Sequence, residues 1–229
     1  MLADHRLAES GDTSAYGQSV PLQELDVSRI PQLPSQQALT TLFTTVREAR
    51  FLQWDADPTF KRRIPWLYLE DGCFLRAERM ADRFTSWGYP APLQAMVFGE
   101  LSAETEYGQG YWWYHVAPVY RVGAETFVID PSLDFARPLP LATWILRMNP
   151  SIENVQVSVC SQYTLMPGFD CYLNEAWWDP ADREASTQNF LDLEWAQLSY
   201  VSQGRPDLLL GEHPPWSTRR TTHIFNTQY

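Results

Sequence analysis

The sequence predicts an α+β protein in which helices pack on an antiparallel sheet. Three observations point there. Two amphipathic helical patterns come first, over residues 35–50 and 71–87. Runs rich in aromatic and β-branched residues follow at 93–101, 111–121 and 125–130, the last two separated by a gap short enough for a hairpin. A long helical pattern then covers residues 180–202. Helices, then neighbouring strands, then a helix is the α+β order. The expected organisation is an N-terminal extension over 1–34, one folded domain over 35–203 and a C-terminal tail over 204–229.

Residues 1–34 contain Pro21, Pro31 and Pro34 and no sustained period, so they read as an extension that is partly ordered at best. Ser35 is a good helix cap, and Leu39, Leu42, Phe43 and Val46 follow it at helical spacing. Asp71 is the candidate cap of the second helix, which ends before Gly88. On it Cys73, Ala77, Met80, Ala81 and Phe84 fall at i, i+4, i+7, i+8 and i+11, an apolar stripe facing the core. Cys73 therefore sits in the first turn, pointing inward, and the small Ala77 and Ala81 allow close approach to a sheet.

Gly123 lies in the gap between the strands at 111–121 and 125–130. If the loop is Val122 and Gly123, Arg121 faces Ala124 and His115 lies directly across from Asp130. A four-residue loop makes the two same-face diagonal neighbours, and a three-residue loop takes them out of simple alignment. Beyond the hairpin, residues 139–148 read as a short helix and 155–165 as a strand. The helix at 180–202 carries Phe190, Leu191, Leu193, Trp195, Leu198 and Val201 and is ended by Gly204. The remaining residues show no clear period.

The chain has 229 residues, enough for one domain with extensions. A hydrophobic fraction of 45%, with 10 Trp, 11 Tyr and 11 Phe, excludes disorder for most of it. The net charge of −11 argues against a phosphate-binding surface and against anionic lipid, so neither nucleic acid nor membrane is an expected partner. No apolar run approaches the roughly 20 residues of a membrane span. The first residues lack a basic region followed by an apolar one, so the expected location is the cytoplasm, or outside it by a route needing no N-terminal signal peptide. Of the three cysteines none forms a CxxC pair; reduced thiols are the default, with a bridge between Cys160 and Cys171 the alternative for an exported protein.

Taken alone, Cys73 is a small core residue, His115 a histidine in an aromatic strand, and Asp130, before Pro131, the start of a turn. Together they supply a nucleophile, a base and the base's orienter. The exposed N–H groups and dipole of a helix N-terminus favour the thiolate. A carboxylate beside an imidazole fixes its tautomer and stabilises the imidazolium. The chain order Cys, His, Asp, with cysteine on a helix and the others on adjacent strands, is that of papain-like and transglutaminase-like cores and points to acyl transfer through a thiol. The Cys73 N–H is the natural first oxyanion donor, and the second is left unassigned. His5, His213 and His223 lie in the terminal segments without ligand spacing, so neither a metal nor a cofactor is expected. Glu175 and Asp179 read as loop and helix start, while Trp112 and Trp113, on opposite faces of one strand, cannot both line a cleft.

The segments DGCFLRAERMADRF, YHVAPVYRV and FVIDPSL together resemble the core of bacterial protein-glutaminases, over residues 66–133. The resemblance implies deamidation of glutamine side chains in proteins or peptides, with Cys73 as nucleophile, His115 as base and Asp130 as its orienter. It also implies helices around an antiparallel sheet, related to transglutaminases, and makes 35–203 the catalytic domain. This sequence departs from secreted members in lacking a signal peptide and an obvious cleavable inhibitory pro-region. The alternatives are a transglutaminase-like acyltransferase, an effector or toxin with a cognate inhibitory or delivery partner, and a non-catalytic binding domain of the same fold.

Overall fold

Five antiparallel strands, in the order β6-β5-β4-β3-β7, form the sheet that carries the candidate site. They are β3 (Leu93–Thr105), β4 (Gly108–Val122), β5 (Glu125–Val128), β6 (Leu139–Pro140) and β7 (Gln156–Cys160). The computed structural model describes residues 15–211. Helices α1 (Gln36–Glu48) and α2 (Cys73–Ser86) precede the sheet, α3 (Leu141–Leu146) lies within its run, and α4 (Pro180–Val201) and α5 (Pro206–Leu210) follow. The fold is α+β, as predicted. Ser35 caps α1, its hydroxyl accepting from the Ala38 amide at 3.1 Å. Asp179 caps α4 in the same way, accepting from Ala181 at 2.7 Å, with Pro180 in the first turn.

One face of the sheet packs Ala95, Val97, Ala117, Val119, Val128 and Val157 against Trp144 and Ile145 of α3. Met96, Phe98, Tyr114 and Val116 pack instead with Cys73 and Ala77 of α2. The predicted stripe on α2 is buried along its length.

The structure corrects the hairpin register. Val122 faces Glu125, so the loop is Gly123 and Ala124, one residue later than the two-residue loop considered above. Val119 faces Val128, and the Ile129 amide still donates to the Pro118 carbonyl at 2.9 Å. His115 and Asp130 are therefore not directly opposite; they are offset by two on one face, the diagonal arrangement.

Three features carried no usable pattern. β3 and β4 extend as a ribbon to the Thr105 and Gly108 pair, past the strands read from 93 to 101 and from 111, where the covered face is made largely of small residues, Ala103, Gly108 and Gly110, that give no hydrophobic alternation. A hairpin of β1 (Leu52–Trp54) and β2 (Asp57–Arg62) is too short to show a period. Residues 15–34 hold their place by isolated bridges, Val20 to Val157 and Gln32 to Arg121, with Ile30 and Leu33 buried. Backbone pairing of this kind leaves no signature in side-chain spacing.

Candidate active site

Cys73 opens α2, and the residue before it explains how. Gly72 has φ +84, a left-handed conformation that side chains resist, and a Cβ there would stand 3.0 Å from the Phe190 ring. Asp71 binds the Gly72 amide at 2.6 Å, so it fixes the turn before the helix and does not cap the helix itself. No side chain caps α2, and its first N–H groups have no intrahelical partner. Among the described residues Cys73 is the free cysteine, buried to 3% exposure.

His115 projects from the middle of β4, opposite Val97. Its Nε2 lies 2.8 Å from Asp130 Oδ2. Just past β5, Asp130 accepts three further bonds: Trp144 Nε1 donates to Oδ2 at 2.9 Å, the Ser132 amide donates to Oδ1 at 3.1 Å, and the Ser132 hydroxyl donates to Oδ1 as well. Four donors for one carboxylate fix both its rotamer and its charge. His115 and Asp130 are 1% and 4% exposed, so water screens their attraction little. The other imidazole nitrogen, Nδ1, makes no hydrogen bond of normal geometry, and the Cys73 thiol lies close enough to the ring to act on it. The thiol also meets the Tyr114 hydroxyl.

Burial alone would push the His115 imidazole down; its hydrogen bonds to Asp130 and Cys73 and their charges outweigh that and raise it to about 9. For Asp130, burial would raise the carboxyl, but the bonds and charge from His115, with Ser132 and Trp144, bring it down to about 2. Tyr114 is held well above the ordinary phenol range by burial and by its contact with Cys73. Between these limits Asp130 is a carboxylate and the His115 ring holds a second proton beside the Cys73 sulfur. That combination moves a proton between sulfur and ring nitrogen and suits attack on an acyl carbon.

The structure thus brings Cys73, His115 and Asp130 together. It also supplies partners that sequence reasoning missed. Trp144, in the segment read only as a short helix, covers one face of the imidazole at 5.5 Å between ring centres and bonds Asp130. Nothing in its local spacing points to Asp130. Ser132 was legible in principle, because Asp followed two residues later by Ser is the pattern of a side-chain-closed turn. Trp112 stacks on the imidazole at 5.0 Å, whereas Trp113 packs with Phe98 and Tyr114 against the cluster that holds Cys73.

Cys160 and Cys171 are bridged, against the default of reduced thiols. His5, His213 and His223 lie outside the described residues.

A family model described as Glutaminase matches residues 39–148, the segment that contains Cys73, His115 and Asp130. The match is at the level of the family. No curated protein sequence matches the chain. Among solved structures, a crystal structure of protein-glutaminase is 23% identical with a TM-score of 0.47, covering 84% of this chain and 98% of that one. The NMR structure of protein-glutaminase from Chryseobacterium proteolyticum is 23% identical with a TM-score of 0.46, covering 86% and 98%. A crystal structure of pro-protein-glutaminase is 22% identical with a TM-score of 0.47, covering 88% and 68%.

Proposed function

We propose that this chain, matched to the glutaminase family over its site-bearing segment, is a cysteine-dependent hydrolase that converts glutamine side chains of a protein or peptide to glutamate. The observation that carries the reading is the buried relay: the Cys73 thiol against His115, whose Nε2 is bound by an Asp130 held from all sides. In the reaction the Cys73 thiol passes its proton to the His115 ring, the sulfur forms a bond to the amide carbon, and the carbonyl π electrons move to oxygen. The N–H groups at the start of α2, which no side chain caps, receive this negative charge, that of Cys73 first. The imidazolium gives its proton to the amide nitrogen, the C–N bond breaks, and ammonia leaves with a thioester remaining on Cys73. The neutral imidazole then takes a proton from water, hydroxide adds to the thioester, and thiolate departs to give glutamate. The net change is one water consumed and one ammonia released.

Asp130 does not exchange a proton in this cycle; it keeps Nε2 protonated and Nδ1 facing sulfur. Water competes with amines for the thioester by its concentration, so hydrolysis is the expected outcome in a site without a dedicated amine channel. The Cys160–Cys171 bridge supports a site of action outside the reducing cytoplasm.

A glutamine peptide with blocked ends is the test. It should release ammonia and gain about one mass unit per glutamine converted, with its backbone intact. Incorporation of an added primary amine in place of that gain makes the protein an acyltransferase, and a cut backbone makes it a protease.

A further inference from the structure

We propose that Trp112 is a positioning residue that locks the base to the loop carrying the nucleophile, a role that rests on the reaction proposed above. Two separate contacts converge on this one side chain. Its ring stacks on His115, with centres 5.0 Å apart and planes inclined by 29°. Its Nε1 donates to the Leu69 carbonyl at 3.0 Å and to the Glu70 carbonyl at 3.3 Å, in the segment leading to Cys73. From the other side Arg76, itself 2% exposed, gives Nη1 to the Tyr68 and Asp71 carbonyls, each at 2.9 Å. Four successive carbonyls before the nucleophile's turn, from Tyr68 to Asp71, are thus held, and one of the two clamps is also the platform of the base.

The two rings meet where the ladder is irregular. Between Phe98 and Leu101 the pairing of β3 with β4 shifts register, with Gly99 and Glu100 together opposite Trp113, the residue after Trp112. Gly110 is required for the contact with the loop. A Cβ at that position would collide with the indole and stand 2.7 Å from the Leu69 carbonyl oxygen. Any larger residue would push Trp112 off the loop it holds.

Trp112→Phe keeps a ring over the imidazole and removes the N–H; Trp112→Leu removes both. For Trp112→Phe, kcat on the blocked glutamine peptide should fall about tenfold with KM changed less than about twofold, because only alignment is lost. His115, followed by imidazole NMR, should titrate as in the wild type. For Trp112→Leu, kcat should fall about 100-fold and the His115 titration should move down by about one unit, since the aromatic face that stabilises the imidazolium is gone. Gly110→Ala, which adds no chemistry, should reproduce the Trp112→Phe loss. The NMR arm does not depend on substrate, so a wild type that releases no ammonia overturns the proposed reaction while the titration still tests the stacking. Wild-type kcat in both tryptophan variants overturns the positioning role, as does an equal loss in both with the His115 titration unmoved and melting temperature lowered.

Discussion

At the scale of single residues, the proposed function rests on how Asp130 sets His115. Asp130→Asn keeps the shape and removes the charge, so the ring loses the group that holds its proton on Nε2. The variant should fold but lose roughly 10²- to 10⁴-fold in kcat. The alkaline limb of kcat/KM, expected near pH 9 from the raised imidazole, should move to lower pH. Stability follows the same pair. His115, raised from 6.5 to about 9, contributes fully below 6.5, and its share fades as the pH rises through about 9. Asp130, lowered from 3.8 to about 2, contributes fully above 3.8, and its share is lost as the pH falls through about 2. The difference from Asp130→Asn should therefore be widest between pH 3.8 and 6.5, on the order of 3 kcal/mol at about pH 5, and should narrow above about pH 9. Urea denaturation at both pH values measures it.

At the scale of elements, the site is where α2, β4 and the end of β5 meet, and each was legible for a different reason. The stripe from Cys73 to Phe84 announced α2 and its inward face because burial on one side forces a helical period. The hairpin was legible as strands, but its register was not: turn choice between Val122 and Ala124 depends on backbone conformation that side-chain pattern does not encode. Trp144 and Trp112 reach the site through tertiary contacts, which no local spacing records. The same holds for Glu194. On a helix read by its apolar residues, it is 2% exposed, pairs with Arg62 at 2.7 Å and accepts from the Leu67 amide at 2.9 Å. Arg62 also lies over Trp54 and Trp195. Glu194→Ala leaves a buried guanidinium without its partner and should cost about 3–5 kcal/mol in urea denaturation, with the wild-type slope retained.

At the scale of the whole molecule, one edge of the sheet, β7, falls within the run read as a strand over 155–165, and its end is closed covalently. The Cys160–Cys171 bridge ties the end of β7 to the loop that leads toward α4. Without reductant, the denatured protein should take up one iodoacetamide, on Cys73; after reduction it should take up three. Replacing both bridged residues by serine should cost about 3 kcal/mol of stability by freeing the unfolded chain. Among the described residues no helix is long and apolar enough to cross a membrane.

The central claim is that Cys73 carries the acyl group of a glutamine side chain. Acid quenching during turnover of a blocked glutamine peptide, followed by mass analysis of the digested protein, tests it most directly. The predicted result is a transient adduct on the Cys73 fragment equal to the peptide less ammonia, absent in Cys73→Ala, which should also release no ammonia. Ammonia release at the wild-type rate by Cys73→Ala, or an adduct on another residue, would contradict the account.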